Sequence, residues 1–379
     1  MGTILASPHN GWDAQACMTL RTKVALGLLV FVPISIAAER LGMGEGTVFV
    51  TSALAILPLA VWLSTATEEL ALALGPSIGA LLNALFGNAT ELIIALTALK
   101  AGLVDIVKAS ITGTVVANLL LALGLSMLVG GIGRQEQKFQ PALARVNGTA
   151  MSLAVLAILI PSLTGMGEGG HGLGTERFST FVAWVLLLVY GLTLLFSLRT
   201  HSALFEVAEA ELGEEAKAHT PPIFPWLLVL VAATAGVAYE SELFMGVVED
   251  VTAKLGLSAL FTGVVLLPLL GGVAEYLTAV TMARKNKMDL AVSVAMGSTL
   301  LVALLVVPIL VLVGPLMGHP LDLNFQIYEL VAIATAVVVS NLVSLDGRSD
   351  WLEGVLLLAA YVILAAGFYF QSMPLATVS

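Results

Sequence analysis

Two short stretches carry the chemistry of this chain, Gly87-Asn88-Ala89-Thr90-Glu91 and Gly271-Gly272-Val273-Ala274-Glu275. Each sets a carboxylate inside a long apolar run. A charge at bilayer depth costs roughly 2.5–3.5 kcal/mol on insertion scales, so a chain that keeps one there uses it. Two carboxylates with carbonyl and hydroxyl oxygens suit a hard divalent cation such as calcium, which accepts about 6–8 oxygen ligands in irregular geometry. Without a cation, two nearby buried carboxylates repel and resist desolvation, which favours their protonated forms. One pair therefore accepts either protons or a divalent cation, and the two compete.

The neighbouring residues fill out that site. Gly87 and Gly271 stand one helical turn before each glutamate, where glycine weakens the helix, lets the backbone bend and frees carbonyl oxygens. Asn88 adds an amide oxygen, and Thr114 and Asn118 share one face of the next helix. Ser298 and Thr299 supply the related hydroxyls in the other half. The candidate metal set is Glu91, Glu275, Asn88, Gly87, Gly271, Thr114, Asn118, Ser298 and Thr299, with Glu91 and Glu275 also carrying protons. Thr114 and Asn118 read equally well as interhelical glue, and Gly113 and Gly297 as packing glycines. Glu240, Glu242 and Glu329 are expected near span ends, solvated. His9, His171, His201, His219 and His319 all fall between the expected spans, which leaves proton transfer to carboxylates.

The elements that hold these residues follow from composition. The chain has 379 residues, 58% hydrophobic and 11% charged, with a mean hydropathy of +1.00; a soluble domain is about 25% charged. This is an all-α polytopic membrane protein. Apolar runs long enough for a ~30 Å hydrocarbon core fall near 22–39, 47–64, 77–100, 105–131, 145–164, 178–200, 225–248, 258–284, 288–315, 325–344 and 351–370, eleven in all. The long runs 105–131 and 288–315 should tilt or kink. The mixed runs 64–76 and 248–257 are expected as helix ends or interfacial turns. The first apolar run has no small-residue cleavage site after it and is expected to be retained. A single cysteine, Cys17, excludes an intramolecular disulfide and a cysteine-based metal cluster. The 16 lysines and arginines are scattered, so no nucleic acid partner is expected.

Residues 201–220 differ from the rest. They carry Glu206, Glu209, Glu211, Glu214 and Glu215 and end before Pro221-Pro222, as a short acidic helix would. It reads either as a solvated linker or as a regulatory, cation-attracting segment at the mouth of a pathway. It divides the chain into an N-terminal segment with the first span (1–46), a first five-helix unit (47–200), the linker (201–220) and a second five-helix unit (221–379).

The two units are related. At a shift of 184 residues Gly79 meets Gly263, Gly87 meets Gly271, Glu91 meets Glu275, Lys100 meets Arg284, Asp105 meets Asp289 and Gly113 meets Gly297. Upstream, Glu68-Glu69 and Leu74-Gly75 match Glu249-Asp250 and Leu255-Gly256 at a shift of 181. Five spans per unit is an odd number, so the second unit is expected to be inverted, an architecture of secondary transporters whose sites lie at the midplane. Eleven lysines and arginines fall on one side, including Arg134, Lys138, Arg284, Lys285 and Arg348, against five (Arg40, Lys100, Lys108, Arg177, Lys254) on the other. The richer side should be cytoplasmic, with the N-terminus inside and the C-terminus outside.

The stretch 87–96, Gly-Asn-Ala-Thr-Glu-Leu-Ile-Ile-Ala-Leu, and the stretch from Gly113 through Asn118 to Gly124 resemble the first signature of the calcium/proton antiporters, the CAX branch of the calcium/cation antiporter superfamily. Ala283 to Asp289 and Gly297-Ser298-Thr299 resemble the second. The resemblance covers nearly the whole chain. It implies calcium transport driven by a proton gradient, with Glu91 and Glu275 carrying the ions and the acidic helix able to bind calcium. No cofactor is implied: calcium is cargo and the proton its counter-ion. The expected partners are these ions, the lipid bilayer and, as an option, a second copy of the chain. Many members carry Gly-Asn-Ala-Ala-Glu-His in the second half, where this chain has Gly272 for the asparagine and Tyr276 for the histidine; Leu301 replaces a glutamine. A sodium-coupled or other divalent cation exchanger is the neighbouring reading, and an intramembrane enzyme with paired carboxylates the reading from another class.

Overall fold

The computed structural model describes residues 20–167, 173–201 and 221–371. The five glutamates of the acidic run lie outside the described residues. The described part is almost wholly helical. Leu20–Leu28 (α1) and Phe31–Arg40 (α2) form the first apolar run, and Glu45–Leu74 (α3) the second. The third is split into Pro76–Phe86 (α4) and Ala89–Lys100 (α5). Then come Val104–Gly131 (α6), Pro141–Gly167 (α7) and Gly174–Thr200 (α8). After the linker follow Ile223–Lys254 (α9), Ala259–Gly271 (α10) and Val273–Arg284 (α11). Met288–Met317 (α12), Ile327–Val343 (α13) and Trp351–Gln371 (α14) complete the chain. Among the described residues seven helices are long and apolar enough to cross a membrane, eight if the bent pair α10–α11 is one span.

Several sequence expectations change in detail. The run 64–76 is a helix end, the first of the two expected readings, and not an interfacial turn: α3 stays helical for 30 residues and carries Glu68 and Glu69 on its last turns. It stops at Gly75, whose φ of +84° an L side chain adopts only with strain, and Pro76 opens α4 at a position that needs no N–H donor. The runs expected at 77–100 and 258–284 are each broken beside the signature glycines. At the first break Asn88 leaves helical geometry (φ −120°, ψ 33°), and at the second α10 and α11 bend by 61°. The surplus length of α6 and α12 is taken up by π-helical segments, Ala117–Ala122 and Val302–Val306. Such bulges occur often at functional sites, and these two coincide within a residue at the 184-residue shift.

α3 and α9 are antiparallel partners. Phe49 stacks on Phe244 at 4.9 Å and Trp62 faces Trp226 at 6.5 Å, with Gly236 lying against Leu59 between them. They share a small core of Leu59, Leu63, Leu70, Leu230 and Val237, separate from the main core built on α6 and α12. Ser35 of α2 ties the leading helix to this pair by donating to Glu240 at 2.7 Å. Glu240 is fully buried, not solvated at a span end as its sequence position suggested. Glu329 is buried too, closing a capping box with Gln326 at the start of α13 and accepting from Thr112. Glu242 is exposed and pairs with Lys100 at 2.5 Å.

The two ends of the bundle are built by different connections. At one end Gln137 donates to Ala283 O (2.9 Å) and Asn286 Oδ1 (3.0 Å), and Arg134 donates to Arg284 O (3.0 Å). There Gln137–Lys138 (β1) pairs antiparallel with Arg348–Ser349 (β2), Gln137 opposite Ser349. At the other end Gly102 lies under His319, and Lys108 pairs with Asp322 and donates to Asn324 O at 2.9 Å. α5 therefore ends at one end of the bundle and α11 at the opposite one. Lys108, counted on the sparser basic side, is a buried member of α6.

α6 crosses α10 closely because glycines meet at the crossing. A Cβ at Gly113 would meet Val264 O, and one at Gly263 would meet Ala109. Small residues allow such backbone approach in membranes. Gly297, the repeat counterpart of Gly113, has open space beside it and is no packing glycine. Gly113→Val is expected to lower the unfolding midpoint in detergent by the equivalent of about 1–3 kcal/mol, and Gly297→Ala to leave it unchanged; thermal melts of both variants check this.

Candidate cation site

Both signature glutamates occupy the third residue of a helix that begins at a break, Glu91 in α5 and Glu275 in α11. A helix N-terminus offers unpaired N–H groups and stabilises an anion by about 0.3–1 kcal/mol. That offsets only part of the roughly 2.5–3.5 kcal/mol insertion cost, so a cation or a proton must supply the rest. Glu91 is 8% exposed, and both its carboxylate oxygens are buried without a hydrogen-bonding side chain from elsewhere in the protein. Its side chain rests on Gly271, where a Cβ would come within 3.0 Å of Glu91 Cγ. Gly271 thus lets the two breaks touch. A cavity of about 20 Å³ opens beside Glu91, with Ser110, Thr114 and Gly271 among its lining and Val302 and Val306 forming an apolar wall.

Above the cavity is a hydrogen-bonded hub. Ser298 Oγ accepts from Asn88 Nδ2 at 2.6 Å and from Asn118 Nδ2 at 2.9 Å. The three residues come from the α4–α5 break, the π segment of α6 and α12. Asn118 Oδ1 is buried without a partner, leaving one amide oxygen free to coordinate. Thr114 donates to Ser110 O at 2.9 Å and Thr299 to Ala295 O at 2.9 Å, bonds within their own helices that leave the hydroxyl lone pairs available.

Of the sequence candidates, Glu91, Asn88, Gly271, Thr114, Asn118 and Ser298 come together here. Gly87 faces its own helix, since a Cβ there would meet Asn83. Thr299 is buried on α12 beside the hub residue Ser298. Glu275, half-buried, lies one turn beyond Gly271. Tyr276, 8% exposed, is within electrostatic reach of both Glu91 and Glu275. Ser110 was not among the sequence candidates, and Tyr276 was marked there only as standing where many family members carry histidine. Ser110 was legible, because Ser110, Thr114 and Asn118 recur every four residues on one helix face.

Long apolar helices around a polar, partly unsatisfied site between two helix breaks define a multi-pass membrane transport protein. Comparison with known proteins gives the family. The sodium/calcium exchanger protein family profile matches residues 46–199 and 225–370, and the chain belongs to that family. It is 50% identical over 368 residues to the Ca2+/H+ antiporter of Aphanothece halophytica, covering 93% of this chain and 98% of that one. It is 40% identical over 339 residues to the Ca2+/H+ antiporter ChaA of Bacillus subtilis, covering 89% and 96%. A solved structure of the Ca2+/H+ antiporter protein YfkE superposes with a TM-score of 0.80 at 36% identity, over 92% of this chain and 99% of that one.

Proposed function

We propose that this protein is a secondary antiporter that exchanges calcium for protons across a membrane by alternating access, the two ions competing for Glu91 and Glu275. The observation that carries the reading is Glu91: a buried carboxylate without a side-chain partner, at a helix N-terminus, facing an ion-sized cavity and touching Gly271 of the other unit. The antiporter names of relatives at 40–50% identity supply the ion pair. With calcium bound, the carboxylates are neutralised by the metal; with calcium gone, protons take its place. Asn118 Oδ1 and the Thr114 hydroxyl complete the oxygen set, with Ser298 Oγ, both lone pairs taken by the two amides, orienting Asn88 and Asn118.

Eleven spans, one leading helix and two inverted five-helix units, make up the proposed layout. The opposite endings of α5 and α11, the paired breaks, the paired π segments and the two-part family match all support it. The end that gathers Arg134, Arg284 and Arg348 is cytoplasmic in this reading, as is the acidic linker; the N-terminus is inside and the C-terminus on the opposite side. Neutralising Glu206, Glu209, Glu211, Glu214 and Glu215 should change the calcium dependence of exchange without abolishing it, measured as initial rate against calcium concentration.

The deciding experiment is calcium uptake by proteoliposomes under an imposed proton gradient, with manganese, magnesium and sodium as competitors. Uptake that needs the gradient and ignores sodium is expected. Sodium-driven uptake would instead make the protein a sodium/calcium exchanger, and no ion flux would return attention to an intramembrane enzyme. Ser298→Ala removes the acceptor shared by Asn88 and Asn118 and should raise the apparent KM for calcium about tenfold, in line with roughly 1–3 kcal/mol for buried polar groups left unpaired; initial-rate measurements check it.

A further inference from the structure

The two halves of the site differ at one pair of positions. In the first unit the break carries Asn88 and, four residues on, Leu92; in the second the same places hold Gly272 and Tyr276. Asn88 reaches across to Ser298. Gly272 has no side chain to do so, and Tyr276 folds back into the vacated space. A Cβ at position 272 would stand 2.6 Å from Tyr276 Cζ. The Tyr276 hydroxyl donates to Pro268 O at 2.9 Å, and Gly272 N donates to the same oxygen at 2.9 Å. A carbonyl has two lone pairs, so both are taken. Pro268 belongs to the last turn of α10, whose carbonyls would otherwise lack intrahelical partners, and its neighbours Leu267 and Gly271 line the cavity beside Glu91.

We infer that Tyr276 is a specificity-determining residue: its ring substitutes for a side chain at position 272, and its hydroxyl withdraws the Pro268 carbonyl from cation coordination. The second unit then offers fewer neutral oxygens than the first. Calcium uses many ligands in flexible geometry, whereas small, octahedral ions need fewer. Tyr276 thus holds the site below its full preference for calcium over smaller divalent ions. This inference rests on the cation-exchange reading above, but its readout is equilibrium binding, which does not require transport.

The test is competition between calcium and manganese for the purified full-length protein, with proton-driven calcium uptake measured in parallel. Tyr276→Phe keeps the ring and frees the carbonyl. It should shift the calcium-to-manganese affinity ratio about three- to tenfold toward calcium, as expected for one polar contact of roughly 0.5–1.5 kcal/mol. Gly272→Asn alone should weaken calcium binding, because the new side chain collides with Tyr276. Gly272→Asn with Tyr276→Leu recreates the Asn88–Leu92 pair and should restore or exceed wild-type affinity, a non-additivity characteristic of contacting residues. An unmoved ratio in Tyr276→Phe, or a Gly272→Asn variant that binds as wild type, overturns the inference. Absence of uptake by the wild-type protein overturns calcium/proton exchange instead, and leaves the binding ratio to judge Tyr276 separately.

Discussion

Glu91→Gln is expected to abolish proton-coupled calcium uptake and, in calcium-free buffer, to leave the protein as stable as the wild type or more so. The amide keeps the shape and one oxygen but carries neither charge nor a titrating proton, so it can neutralise no cation and return no proton. The stability arm follows from the site itself. Glu91 is 8% exposed, with no side chain paired to its oxygens, and a buried carboxyl without a partner, whether charged or protonated, is a cost to the empty protein. Replacing it removes that cost, a trade of stability for activity seen where function requires strain. Uptake in proteoliposomes and thermal melts in chelator test the two arms. Exchange at wild-type rates would remove Glu91 from the mechanism, and a lowered midpoint would show that its oxygens are paired after all.

Lys108→Met should be among the most damaging changes away from the ion site. Lys108 and Asp322 are 9% and 8% exposed, and the lysine also holds Asn324 O. Removing one partner of a buried pair typically costs about 3–5 kcal/mol because the other charge is stranded, whereas replacing both can be neutral. Lys108→Met is therefore expected to lower the unfolding midpoint sharply, and Lys108→Met with Asp322→Leu to recover most of the loss. Equal destabilisation in single and double variants would mean that the pair is not what fastens this end. The contact binds the α12–α13 connection to α6 two residues before Ser110, so calcium affinity should fall with stability in the single variant.

Much of this was legible in the residues. Apolar run lengths located most of the long helices, and the glycines one turn before the paired carboxylates marked where the backbone could bend, because both signals are local. The polar face Thr114–Asn118 was visible for the same reason. What remained hidden depends on partners far apart in sequence. Glu240 looked like a span-end carboxylate until Ser35, 205 residues away, was found against it. Lys108 read only as one of the sparser basic residues, and nothing local pointed to Asp322, 214 residues away, as its partner. The break within 77–100 was masked by uninterrupted hydropathy: an apolar run records that a segment is in the membrane, not that its backbone is continuous. The π segments have no compositional mark and become intelligible only as places where surplus length is absorbed near the site.

The cavity beside Glu91 has one more implication. At about 20 Å³ it holds a single water-sized body, since one water needs roughly 10–15 Å³ by that measure. On the exchange reading proposed above, a cation seated in that space would have shed most of its hydration shell, with Val302 and Val306 bordering it on one side. Magnesium gives up its waters reluctantly, calcium more readily. On that proposal the site would sort ions by how easily they dry, before any protein oxygen has bound them.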